Sequence, residues 1–349
     1  MSFTEEKREA IRKYMLNKIR EDDSQFLRKT ADNFGVSETS VRRYAAACLD
    51  AGVIEKNETG RCGYRLKETS VHLDYENDGT LEEDSVYFRD IAPLLKELPQ
   101  NAGNIWYYAF TETMNNAIEH SRGSRISIEV KKDCLYTEIS VTDNGIGIFR
   151  NIQEYVQDKM GINMDAEQAA LELYKGRLTT SPEGHSGEGI FFVSKMLTEF
   201  ALWSDGTVYS WRCEDREHFV KSHLIAYYNR LRGIGTMAVM KLANETARGV
   251  KEVFDEYAPL DKGFVKTLIP VGEMCPLGDP VARSQARRIL LRLDEFQEIV
   301  FDFRNVTFMG QGFADEVFRV FQNAHPDIRI TVVNANRDIQ GMIAHVKNT

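Results

Sequence analysis

At 349 residues the chain exceeds what one compact core ordinarily organises, so two or three domains are expected. Its 42% hydrophobic and 28% charged residues with 8 Pro exclude a disordered or collagen-like chain, and no apolar run approaches the roughly 20 residues of a membrane span. Residues 1–70 carry 14 Lys and Arg against 12 Asp and Glu, and the remainder carries 30 against 41. A strongly basic nucleic-acid protein is thereby excluded, whereas a small DNA-reading head on an acidic body is not. The five cysteines lack Cys-x-x-Cys or Cys/His spacing, so neither a disulfide framework nor a zinc site is indicated. No apolar leader follows Met1, and a cytoplasmic location without a membrane partner is expected.

In chain order, a helical stripe comes first, at Ile11, Met15, Leu16 and Ile19. A short helix ending at Gly35 is followed by Ser37, a good N-cap for a helix from Glu38 to Ala51. Thr39, Ser40, Arg42 and Arg43 lie on the early turns of that helix, where a recognition helix meets base edges and phosphates. Residues 53–56 and 63–66 read as two strands around a turn. The pattern Ala-x-x-Phe-Gly-Val-Ser-x-x-Ser-Val-Arg-Arg at 31–43 resembles bacterial winged helix-turn-helix domains. Duplex DNA is the partner this implies; a three-helix bundle used for protein contacts is the alternative, kept open by the small positive charge.

Two soft junctions, Glu68 to Asp84 and Pro259 to Pro280, divide the chain into expected domains at 1–70, 80–245 and 246–349. The central part carries three separated motifs. In Phe110 to His120, Glu112 and Asn116 share a helix face, where a carboxylate can activate a nucleophile and an amide oxygen can ligate Mg2+. Asp143-Asn144-Gly145-Ile146-Gly147 follows two strand-like runs; its acid can accept from an adenine amine, and its glycines admit close backbone approach. Gly184-His185-Ser186-Gly187-Glu188-Gly189 opens an amphipathic helix whose N–H groups can hold phosphates. Each motif alone also reads as a polar helix face, a turn or a flexible loop.

In this order the three motifs resemble the GHKL ATPase superfamily, as does Gly235-Thr236 at the start of an alternating strand. The resemblance implies a Bergerat α/β sandwich that binds ATP and Mg2+. It would make Glu112 the general base, Asn116 the Mg2+ ligand and Asp143 the adenine-specifying acid supported by Thr236. Gly145 and Gly147 would pass beneath the base, and Gly187 and Gly189 would bind phosphates. Residues 150–183 would form an ATP lid. His185 and Lys195 read equally as phosphate contacts or as structural residues. No histidine-kinase phosphoacceptor helix is present in the sequence.

The tail alternates strands and helices, a small open α/β layer. Its run from Val300 to Arg319 resembles the STAS-like family DUF4325, and more distantly anti-sigma-factor antagonists. Met309-Gly310-Gln311-Gly312 offers no hydroxyl where the antagonists carry a phosphoacceptor serine. The resemblance implies a protein partner for the tail. The whole is thus expected to be a multidomain α/β protein with winged helix head, GHKL body and STAS-like tail. Its expected function is that of an ATP-switched transcriptional regulator with slow hydrolysis. Two alternatives stand beside it: an anti-sigma-type serine/threonine kinase acting on a separate partner, and a binding module without turnover.

Overall fold

The computed structural model describes residues 3–161, 163–176, 188–204, 206–211, 233–259, 263–275 and 279–348. The first helix, Glu5–Arg20, is capped by Thr4, whose hydroxyl accepts from the Lys7 N–H. Helix Phe26–Phe34 ends at Gly35 with φ +62°, a left-handed turn that suits glycine. The Ser37 hydroxyl accepts from the Ser40 N–H at 3.2 Å and starts helix Glu38–Asp50. Strands β1 (Ile54–Lys56) and β2 (Tyr64–Leu66) pair antiparallel. The stripe at Met15, Leu16 and Ile19 packs with Phe26, Val41, Ala45 and Leu66 into one core.

A six-stranded sheet has the order β3-β4-β5-β8-β6-β7. Its strands are β3 (Thr69–Glu76), β4 (Arg125–Lys132), β5 (Tyr136–Asp143), β6 (Glu199–Ser204), β7 (Thr207–Trp211) and β8 (Met237–Ala243). Residues 69–76 of the segment expected as an acidic junction, 68–84, are therefore a strand. Its alternating half-buried and exposed residues form the edge strand β3, whose polar outward side chains imitate a loop in sequence. Helix Gln100–Asn115 buries Ala102, Ile105, Trp106, Ala109 and Phe110 and continues through a π-turn, Asn116–His120. It packs against helices Gly189–Met196 and Val250–Tyr257.

The second expected junction, 259–280, holds a strand where its short apolar run, 264–270, reads as one. Strand β9 (Lys266–Pro270) pairs parallel with β10 (Glu298–Asp302), which pairs parallel with β11 (Arg329–Val333). Helices Arg283–Leu290 and Arg337–Lys347 pack with the helical segment 311–324 in this tail layer.

The chain divides into two compact units. One holds Met1–Leu73, Ile128–Ile139 and Lys241–Thr246; the other holds Asp74–Ser127, Ser140–Met240 and Ala247–Thr349. Within the first unit, the Arg20 guanidinium lies 4.1 Å above the Tyr136 ring, Lys13 pairs with Glu245 at 3.1 Å, and Leu135 packs on the helical core.

Candidate nucleotide site

The second unit contains a cavity of about 440 Å3, lined in part by Glu112, Asn116, Asp143, Gly189 and Thr236. Glu112 and Asn116 reach it from one face of the helix because its apolar stripe turns the opposite face into the core. The Asn116 amide nitrogen donates to the Glu112 carbonyl oxygen at 2.7 Å. That fixes the amide, and its oxygen is then the atom suited to a hard cation.

Asp143 closes β5 and is 5% exposed. Its Oδ1 accepts from the Gly145 N–H at 2.8 Å and the Thr236 N–H at 3.2 Å. Burial pushes its pKa up to about 6, against the pull of those hydrogen bonds. The Thr236 hydroxyl accepts from the Ile148 N–H at 2.9 Å, tying the start of β8 to the start of helix Ile148–Met160. The glycines of the second motif are needed for space and for conformation. A side chain on Gly145 would overlap the Ser121 carbonyl, and Gly147 sits at φ +89°. A side chain on Gly189 would overlap the Glu112 carboxylate, so the third motif meets the first at close range. Gly187 and His185 lie outside the described residues.

Thr39, Arg42 and Arg43 are exposed on helix Glu38–Asp50, and Ser40 is half-buried there. Arg42 pairs with Glu38 at 3.4 Å, an exposed contact worth little. These four residues belong to the first unit and the cavity to the second.

Two stretches of the sequence match known families. Residues 103–218 match the family described as histidine kinase-, DNA gyrase B- and HSP90-like ATPase, and residues 285–340 match the STAS-like domain of unknown function, DUF4325. Residues 103–218 form a GHKL-type ATPase domain. No curated protein matches the chain. Such an ATPase domain implies ATP binding, usually with Mg2+. Among the described residues no helix is long and apolar enough to cross a membrane.

The ATPase domain's cavity also has walls to which the sequence assigns no role, among them Tyr108 just before the first motif, His120 and Glu188 within the motifs, and Asn151 and Leu173 within the expected lid. Tyr108 stands one helical turn before Glu112, a spacing that sequence reasoning could have used. Leu173 carries no signal beyond its place in the expected lid, 150–183. The Tyr108 hydroxyl is held protonated by burial, reinforced by the charges of Glu112 and Glu188.

Lys195 does not line the cavity. Its Nζ sits 3.2 Å from the centre of the Trp211 ring and 4.7 Å from that of Phe191, with no hydrogen-bond partner among the described residues. Burial pulls its pKa down to about 7, although Glu273, Asp302 and Glu256 act in the other direction. The unfolded chain therefore binds an extra proton between about pH 7 and the ordinary value of 10.5, and this residue makes stability rise with pH across that window. Lys195→Met keeps the aromatic packing and removes the buried amine. Thermal and urea unfolding at pH 7 are expected to show a gain of about 1–3 kcal/mol, shrinking as pH approaches 10.

Proposed function

We propose that this protein is an ATP-switched regulator. The ATPase domain binds Mg·ATP in the cavity, and slow hydrolysis resets it. The observation that carries the reading is the convergence of Glu112, Asn116, Asp143, Gly189 and Thr236 on one cavity from elements far apart in the chain. In this reading Asp143 accepts from the adenine amine, with Thr236 steadying it. Gly145 and Gly147 let the backbone lie close to the base, and Gly187 and Gly189 serve the phosphates. Asn116 ligates Mg2+, and Glu112 acts on the nucleophile. The described residues hold no cluster of three or more His, Cys, Asp or Glu fit for a metal. A single amide oxygen suits an ion that arrives with the triphosphate and keeps waters in its shell. Calorimetry with Mg·ATP against Mg·GTP tests the site: equal affinity for both removes the adenine assignment. Incubation with γ-labelled ATP, with and without candidate protein partners, separates hydrolysis from transfer to a protein hydroxyl.

The output of the switch is duplex DNA read by residues 1–70, with the STAS-like tail offered to a protein partner. Chain continuity supports a link between nucleotide and head. Strand β5 carries Asp143 at one end and Tyr136, beneath Arg20, at the other. Strand β8 follows Thr236, and Glu245 just beyond its end pairs with Lys13. Arg42→Ala with Arg43→Ala is expected to weaken duplex binding about tenfold or more at low salt. The slope of log affinity against log salt should fall by about 2, because two fewer phosphates are neutralised and fewer counterions leave the duplex on binding. A wild-type chain that retains no fragment in an unbiased genomic selection at low salt would turn the head into a protein-contact module.

A further inference from the structure

The helix Ala166–Lys175 lies within the ATPase domain's sequence, and its residues 168–175 are all buried. It packs against β7 on one side and against β9 of the tail on another. Tyr174 donates its hydroxyl to the Ser210 carbonyl of β7 at 2.8 Å, and Leu173 lines the nucleotide cavity. The polar side chains of the same helix are held by the tail.

Lys175 donates from Nζ to Glu172 Oε1 at 2.6 Å and to the Leu291 carbonyl at 2.6 Å. Glu172 Oε2 meets Arg292 at 3.5 Å. Arg288 donates to Gln168 Oε1 at 2.8 Å, and the Thr267 hydroxyl of β9 donates to the Lys175 carbonyl at 3.0 Å. The Lys175 and Glu172 side chains are 3% and 1% exposed. Two ions that deep are tolerated only when their geometry and remaining hydrogen bonds are satisfied. Here the tail supplies the Leu291 carbonyl to Lys175 and the charge of Arg292 to Glu172, whose Oε2 has no hydrogen-bond partner among the described residues. Without residues 288–292 the Lys175 ammonium loses its carbonyl and Glu172 loses the cation beside Oε2, so the seat of the helix beside the cavity depends on the tail being docked.

We propose that the STAS-like domain, whose family carries no assigned function, is an in-cis clamp on the ATPase: it seats helix 166–175 against the nucleotide cavity and thereby sets nucleotide affinity. The proposal rests on the cavity being the ATP site. Coupling of this kind is reciprocal, so nucleotide must also tighten the tail on the helix. A protein partner that binds the tail at residues 288–292 competes with the clamp and releases nucleotide.

The test uses the full chain, hydrogen exchange and calorimetry with Mg·AMP-PNP. Arg292→Glu sets a like charge against buried Glu172, while Arg292→Lys keeps the charge and should stay near wild type. In Arg292→Glu, exchange of amides 169–175 is expected to rise about tenfold and the Kd for Mg·AMP-PNP at least about fivefold. Arg288→Ala, which removes the Gln168 hydrogen bond without burying a new charge, should move both readouts in the same direction by less, which guards against misfolding of the first variant. In the wild type, Mg·AMP-PNP should slow exchange at residues 286–293. Faster exchange of the helix with an unchanged Kd overturns the proposal, as does exchange indifferent to both variants. A wild-type chain that binds no nucleotide overturns the ATP-site reading first, and leaves the clamp nothing to govern.

Discussion

Glu112→Ala is expected to bind Mg·ATP as tightly as the wild type or more tightly, while any hydrolysis or phosphotransfer falls by about 10²-fold or more, the usual worth of a positioned base. The reason lies in the geometry. The Glu112 carboxylate faces the start of helix Gly189–Met196 so closely that a side chain on Gly189 would displace it. A negative group there opposes a triphosphate, so its removal relieves repulsion in the ground state. In the function proposed above, it orients or deprotonates the attacking nucleophile. Asn116→Ala should behave differently, losing Mg2+-dependent affinity as well as rate, because the amide oxygen is the group offered to the cation. Single-turnover kinetics with γ-labelled ATP, paired with calorimetry, separates the two. Equal turnover in Glu112→Ala and wild type would remove Glu112 from the chemistry.

Asp143→Asn should weaken ATP at pH 7.5 by about 10-fold or more, since an amide presents a donor or a weaker acceptor to the adenine amine. The wild type has a pH dependence that the variant lacks. Asp143 titrates at about 6 because it is buried, so its carboxylate is the majority form above that pH and is lost below it. Wild-type ATP affinity should therefore fall as pH drops from about 6.5 to about 5, whereas that of Asp143→Asn stays flat. Stability moves the opposite way. The folded chain holds this proton more tightly than the unfolded one, whose carboxyl keeps the ordinary value of 3.8, so the wild type loses stability as pH rises through roughly 4 to 6. Asp143→Asn escapes that loss and should be more stable above pH 6, by at most about 3 kcal/mol, with the difference vanishing below about pH 4. Calorimetric binding and thermal melts across this range check both signs. A variant that binds ATP like the wild type would displace the adenine contact from Asp143.

Much of the local structure was legible because it follows from the conformational demands of single residues. Gly35 and Ser37 end and begin helices by backbone freedom and by a capping hydroxyl, whatever lies around them. The stripe at Met15, Leu16 and Ile19 declares its period and hence its buried face. Glu112, Asn116, Asp143 and Gly189 could be named because their chemistry is carried by residue type and short spacing. Strand β3 could not, since an edge strand with polar outward residues carries too weak an alternation to stand out from a turn-rich linker. The partners of buried charges were equally hidden. Lys195 looked as suited to phosphate as to packing, and only the fold put it against Trp211 and Phe191. The clamp joins Lys175 to the carbonyl of Leu291 across 116 positions. No local preference encodes that pairing: an isolated lysine at 175 favours water, and the path of the chain alone decides that its ammonium is satisfied by Glu172 and the tail.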